Sequence, residues 1–213
     1  MNLKDYKHII WDWNGTLLDD ANYCVGCMNQ LLAERQMPLL NIQKYQDIFT
    51  FPVEDYYIKL GFDFEKESFD IVGHAFMDLY FAHLSTCQLH TDALKALSFF
   101  QKNNRQQFIL SAMEHQSLIS MLKKMNLETY FNGVYGIDNH LAAGKIERAK
   151  QMLEENHLDI QQTLLIGDTL HDQEVAEALG CQVILIAHGH QSNKRLMENA
   201  AEVLEDLSAL IKC

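Results

Sequence analysis

Basic residues are the scarce class in this chain. Seventeen Lys and Arg stand against 29 Asp and Glu, a formal net charge of −12. That deficit argues against nucleic acid or an anionic membrane as partner, because both need a cationic face. A small phosphorylated metabolite stays compatible, provided that local cations or a metal ion offset its charge. Proline is nearly missing, with only Pro38 and Pro52 in 213 residues, and no Pro/Ser-rich stretch marks a linker. Nor is there an apolar run long enough to span a bilayer, and Met1 to Lys7 is polar, so no secretory leader is read. The cysteines (Cys24, Cys27, Cys87, Cys181 and Cys213) are odd in number and show no framework spacing. This excludes a disulfide scaffold and fits a reducing, cytoplasmic compartment. Cys24-Val25-Gly26-Cys27 has the form CxxC. Without a second pair or a thioredoxin-like context, it reads as small apolar residues on a helix.

What is present alternates. The apolar run His8-Ile9-Ile10-Trp11 reads as a buried strand that Gly15 ends, which leaves Asp12 at its carboxyl edge. From about Asp20 to Cys87 the pattern is helical throughout, with Phe69, Val72, Phe76, Leu79, Tyr80 and His83 at three-four spacing. Pro52 opens a helix through Tyr56, Tyr57 and Leu60 that Gly61 closes. Beyond Leu89, strands and helices alternate. The strands are Gln107 to Leu110, Gly133 to Gly136, Thr163 to Ile166 and Val183 to Ile186. A last helix is expected through Leu204, Leu207, Leu210 and Ile211. The pattern predicts an α/β fold, a doubly wound parallel sheet of Rossmann-like type. Residues 1–19 and 88–213 form its core, and residues 20–87 form an inserted small helical cap domain.

Four polar signals fall on the sheet edge where such folds bind ligands: Asp12, Ser111, Lys145 and the pair Asp168 and Asp172. Taken singly, each has an ordinary reading as a turn, cap or surface residue. Together they suit phosphoryl chemistry. A carboxylate nucleophile needs its charge offset, and Mg²⁺ does this with one or two carboxylates plus a phosphate oxygen. Lys145 can hold Asp12 ionised. Ser111, at a strand end that opens a helix, can offer its hydroxyl and an N–H to a phosphate, and Thr16 can do so from the other side.

This set resembles the haloacid-dehalogenase-like hydrolase superfamily. Asp12-Trp13-Asn14-Gly15-Thr16 is similar to its first motif, Ser111 to its second, and Lys145 after Ala142-Ala143-Gly144 to its third. Gly167-Asp168-Thr169-Leu170-His171-Asp172 is similar to its fourth. The helical insertion and the length look most like the phosphoglycolate-phosphatase group. The resemblance implies a phosphatase with Asp12 as nucleophile, an aspartyl-phosphate intermediate, and Ser111 and Lys145 on the phosphoryl group. It implies Mg²⁺ on Asp12, the Asn14 carbonyl and Asp168, with Asp172 in support. Ala112 stands where many family phosphatases carry Asn. Thr50 and Phe51, in Phe49-Thr50-Phe51-Pro52, look like the loop that turns toward the substrate.

Asn14 departs from the pattern, because the phosphatases have there a second Asp that shuttles the leaving-group proton. An amide cannot do this at neutral pH, and such help is typically worth about a hundred- to ten-thousandfold. Three readings follow. The leaving group needs little protonation, as in an acyl phosphate. Another acid such as His115 stands in. Or the chain is a slow or non-catalytic phosphoryl-ligand binder. A fourth route is deamidation of Asn14-Gly15, which a well-packed turn would hinder. Carbon–halogen or carbon–phosphorus hydrolysis on the same fold is a further alternative, without a specific match. His188 and His190 flank Gly189 in a loop and receive no role.

Overall fold

The computed structural model describes residues 2–137, 144–200 and 202–212. Ala142, Ala143 and Cys213 lie outside the described residues. The centre is a six-stranded sheet of β1 (His8–Trp11), β4 (Gln106–Glu114), β5 (Gly133–Ile137), β6 (Thr163–Gly167), β7 (Gln182–Ile186) and β8 (Val203–Leu204). The strand order is β5-β4-β1-β6-β7-β8, and every pairing is parallel. Parallel strands need covering on both faces, and their apolar runs supply it by alternation. Ile9, Trp11, Ile109 and Ile166 enter one core with Leu97 and Phe100 of α5 (Ala93–Lys102) and Leu118 of α6 (His115–Lys124). Ile10, Phe108, Leu110 and Leu165 enter the other. There they meet Ala149 and Met152 of α7 (Lys145–Glu155) and Val175 and Ala176 of α8 (Leu170–Leu179).

Between β2 (Leu18–Asp19) and β3 (Gln88–Leu89) run four helices: α1 (Ala21–Glu34), α2 (Ile42–Ile48), α3 (Val53–Leu60) and α4 (Phe69–His83). β2 and β3 pair antiparallel, so the two ends of this insertion lie side by side. α3 has Pro52 before it and Gly61 after it, the latter at φ 102°. Proline suits a helix start and glycine a left-handed end. Cys24 and Cys27 are buried free thiols on α1, and burial pushes both thiols up in pKa. No helix of the described residues is long and apolar enough to cross a membrane.

Two expectations are corrected. β4 does not end at Ser111 but runs on to Glu114, because Glu114 finds a partner in Ile137 of β5 after an irregularity past Leu110. Ser111 therefore opens no helix. Glu114 caps α6, accepting from the N–H groups of Gln116 (2.7 Å) and Ser117 (2.8 Å). The C-terminal segment is not one helix either. Val203–Leu204 is the edge strand β8, Leu207–Ile211 is a 3-10 turn, and α9 (Asn193–Asn199) precedes them. Leu204, Leu207 and Leu210 keep helical spacing, but pairing with β7 claims the first of them.

A buried polar bridge ties β1 to β4. Trp11 Nε1 donates to Gln107 Oε1 (3.0 Å), and Gln107 Nε2 donates to the Leu97 carbonyl (3.0 Å). Gln107→Leu would leave the indole N–H without its partner, at a cost of about 1–3 kcal/mol. Thermal unfolding is expected to show a Tm lower by roughly 2–10 °C with an unchanged circular dichroism spectrum; an unchanged Tm would show that the bridge contributes nothing.

Candidate active site

Asp12 and Asp168 follow directly on β1 and β6, which are neighbours in register (Trp11 beside Ile166). Both carboxylates thus reach the same point at the sheet edge. Lys145, first residue of α7 and 4% exposed, donates to Asp12 Oδ1 (2.5 Å) and Asp172 Oδ1 (2.7 Å). Asp172 Oδ2 accepts from the Thr169 hydroxyl (2.8 Å) and N–H (3.1 Å), which caps α8 and holds the side chain still. Thr16 does not face an open phosphate position. Its single hydroxyl lies 3.2 Å from Asp12 Oδ2 and 3.0 Å from Asp168 Oδ1. Ligand atoms of Asp12, Asp168 and Asp172 all lie within 4.8 Å of one another.

Two residues that sequence reasoning left without a role complete the cluster. Asp20, 1% exposed, accepts from Gly15 N–H (2.9 Å), Asn14 Nδ2 (2.8 Å) and the Tyr80 hydroxyl (2.6 Å). The His190 ring lies 3.2 Å from Asp20 Oδ1 through Nε2 and 2.8 Å from the Tyr45 hydroxyl through Nδ1, and the His190 backbone N–H donates to Asp168 Oδ2 (2.6 Å). The only sequence signal was the second Asp of Asp19-Asp20 and an unexplained HxH. His188 sits below the site, donating to the Thr16 carbonyl (3.1 Å) and stacked on His90 with ring centroids 3.6 Å apart. The turn tolerates only glycine at two points. Gly15 has φ +74°, and a Cβ there or on Gly189 would collide with the Asp168 carboxylate.

The remaining candidates divide. Asn14 and Ala112 line the cavity above Asp12, and so does Phe51. Thr50 does not line it; its hydroxyl accepts from Arg195 (3.3 Å). Ser111 is fully buried beside the cavity, its hydroxyl accepting from Met113 N–H (3.0 Å) and donating to Asn14 Oδ1 (3.4 Å). His115 is tied to Gly136 N–H (3.3 Å) on β5 and is absent from the lining. Asn14 Nδ2 also meets the Tyr80 hydroxyl (2.7 Å), so its amide bridges Asp20, α4 and Ser111.

Four carboxylates here face two cations, Lys145 and His190. Burial, with repulsion from Asp12 and Asp172 added, pushes Asp168 up to about 8 against the pull of His190. Burial raises Asp12 to about 6, although Lys145 opposes it. For His190, Asp20, Asp168 and Asp12 together outweigh burial and raise it to about 9. Burial also acts on Asp172, but Lys145 outweighs it and holds that carboxyl low. An all-oxygen donor set with excess negative charge fits a hard divalent cation such as Mg²⁺.

The sequence profile of the haloacid dehalogenase-like hydrolases matches residues 9–186, most of the chain. The chain belongs to that family. It is 21% identical over 218 residues to the phosphoglycolate phosphatase of Pseudomonas savastanoi pv. phaseolicola, covering 96% of this chain and 78% of that one. Among solved structures it is similar to a haloacid dehalogenase-like family hydrolase of Streptococcus pneumoniae, with TM-score 0.80, 19% identity and 98% of each chain covered. It is also similar to Protein Tyrosine Kinase A of Mycobacterium tuberculosis, with TM-score 0.81, 17% identity and 97% of each chain covered. At such identity the structural likeness is one of fold, and this haloacid dehalogenase-like hydrolase must have its chemistry argued from its site.

Two expectations follow. Asp12 and Asp168 bind their protons more tightly when folded than their ordinary values near 4 allow, and His190 binds its own more tightly than 6.5 allows. Between those pH values and their folded ones, the native state holds more protons than the unfolded chain, so stability falls as pH rises. In chelator, Tm is expected to fall from about pH 6.5 to pH 9, where Asp168 and His190 give up their protons; below that range His188, which burial lowers to about 4, opposes the trend. Mg²⁺ should flatten that slope; a slope indifferent to Mg²⁺ would deny the ion this site. Deamidation of Asn14 requires attack by Gly15 N, whose hydrogen is held by Leu18 O (2.9 Å) and Asp20. Peptide mapping is therefore expected to find Asn14 intact, and an isoaspartate there would contradict this packing.

Proposed function

We propose that this chain is a Mg²⁺-dependent phosphatase acting on a small phosphorylated metabolite through an aspartyl-phosphate on Asp12. The supporting observation is the placement of Lys145 2.5 Å from Asp12, with Asp168 alongside at the end of the adjacent strand and a cavity above both. The phosphoglycolate phosphatase relative has the same bias toward phosphate esters in its name. Asp12, the Asn14 carbonyl and Asp168 would hold the ion, with Asp172 anchoring Lys145 beside them. When bound, the ion offsets charge on the carboxylates and on the phosphoryl oxygens.

The protein's own groups supply the rest. Lys145 keeps Asp12 ionised and lies next to the oxygens of the transferring group. An Asp12 oxygen attacks phosphorus, the ester P–O bond breaks, and the alcohol oxygen leaves with the bonding pair. Water then attacks the phosphorus of the aspartyl-phosphate, which releases inorganic phosphate and restores the carboxylate. Thr16 and the His190 N–H hold Asp12 and Asp168 in register through both steps. Residues 20–87 act as the cap that covers the reacting group, excludes water and selects the substrate.

The test is phosphate release from a panel of phosphate monoesters and acyl phosphates, with Mg²⁺ and with chelator. Metal-dependent release is expected from the native protein. Asp12→Asn should reduce it by about a thousandfold or more, the scale of losing a covalent nucleophile, with the fold retained by circular dichroism. Release that persists in Asp12→Asn would overturn the assignment of the nucleophile.

A further inference from the structure

The cavity above Asp12 has a volume of about 190 Å³ and two unlike ends. One end carries Asp12, Lys145 and Asp168; the other is walled by rings of the helical insertion. Phe49 and Phe51 precede α3, Tyr57 lies on it, and Phe69, Phe76 and Tyr80 come from α4. The rings meet one another: Tyr57–Phe69 centroids are 5.6 Å apart, Tyr57–Phe76 6.4 Å and Phe76–Tyr80 5.9 Å, the last pair stacked. They make one continuous apolar wall. A dry cavity of about 150 Å³ accepts a benzene molecule, so there is room here for one ring beside a phosphoryl group.

Lysine and arginine are missing at the ring end, where the lining also holds His74, its Nδ1 2.6 Å from the Asp70 carbonyl. Among the described residues, Lys145 is the one lysine or arginine lining the cavity, and Asp12 and Asp172 already hold it. Arg195, outside the lining, donates to the Phe49 carbonyl and to Thr50. His171 stacks flat on Phe51 and pairs with Glu174 (2.9 Å). A leaving group with its own carboxylate would bury that charge against rings with no lysine or arginine free to pair with it. Tyr56, 2% exposed, is also in the lining, and its hydroxyl is buried without a partner among the described residues. One neutral hydroxyl does not offset a carboxylate.

Position 14 adds an independent constraint. Both hydrogens of the Asn14 amide are committed to Asp20 and Tyr80, and an amide has no proton to give at neutral pH. A leaving group that departs here does best unprotonated. A phenol ionises near pKa 10, roughly six units below the value for water, which aliphatic alcohols resemble.

We propose that this cavity selects phosphate esters of apolar, phenol-type alcohols, the ring seated against Tyr57, Phe69 and Phe76 while the phosphoryl group meets Asp12 and Lys145. This rests on the phosphatase reading above. In the reaction the Asp12 oxygen–phosphorus bond forms as the phosphorus–aryl oxygen bond breaks, and phenolate leaves with the electron pair. Water then cleaves the aspartyl-phosphate to inorganic phosphate, and its released proton matches the one that phenolate takes up in solution.

Binding and turnover test this separately. By calorimetry in Mg²⁺, benzylphosphonate is expected to bind the native protein at least about tenfold more tightly than 3-phosphonopropionate. Met77→Arg, which adds a cation at the ring end, should narrow or reverse that preference, and Phe76→Ala should weaken benzylphosphonate alone. Phenyl phosphate and benzyl phosphate should share a similar KM, with kcat higher for phenyl phosphate by about a hundredfold, the lower bound for general-acid help. Equal or tighter binding of 3-phosphonopropionate to the native protein would overturn the proposal. Equal kcat for the two esters would overturn its phenol assignment. No phosphate release from any ester, with the benzylphosphonate preference intact, would overturn the phosphatase reading and uphold the ligand class.

Discussion

Four buried carboxylates, Asp12, Asp20, Asp168 and Asp172, converge at the carboxyl ends of β1 and β6. Bringing like charges together in a place with little water is expensive. Much of the surrounding structure offsets that cost. Lys145 stands between Asp12 and Asp172, and His190 stands between Asp20 and Asp168. Thr169 caps α8 onto Asp172, and the Gly15 N–H is turned onto Asp20. Glycine at 15 and 189 is needed because Asp168 occupies the space a Cβ would take. The residual negative charge and the all-oxygen donors suit a divalent cation.

The same network joins the insertion to the sheet. Asn14 and Asp20 reach Tyr80 on α4, and His190 reaches Tyr45 on α2. Around them, Gln46 donates to the Gly189 carbonyl (2.8 Å) and Gln191 to the Phe49 carbonyl (3.1 Å). The polar floor and the aromatic wall of the cavity are thus held by one set of hydrogen bonds. Replacement of an acid by Asn14 is part of that set: the amide can donate to Asp20 where a second carboxylate would repel it. The composition of the wall and the loss of the proton donor point the same way, toward a leaving group that is apolar and stable as an anion.

Local signals were enough where an element depends on its own residues. The apolar runs of β1, β6 and β7 alternate between the two faces of the sheet, so periodicity alone places them. α3 is bounded by Pro52 and Gly61, whose backbone preferences act within a few residues. Asp12, Lys145, Asp168 and Asp172 stood out because carboxylates and a lysine at strand and helix ends are read directly along the chain. β4 past Ser111 and β8 were not legible in this way. Each extra stretch owes its form to a partner strand far away in sequence, Ile137 for Glu114 and β7 for Val203–Leu204.

Sequence alone therefore determined the α/β class, the alternation of strand and helix from β4 to β7, the helical character of the stretch after β1, and the ionic residues at the sheet edge. These follow from periodicity, capping and spacing, which are short-range. Tertiary structure alone decided what those residues do to one another. It took Ser111 and Thr16 into the supports of Asn14, Asp12 and Asp168, and left Thr50 outside the cavity. It brought Asp20 and His190, 170 residues apart, to within 3.2 Å, and gathered rings from separate helical segments into one wall. Contacts of that kind depend on how the chain closes on itself, and no local pattern records them.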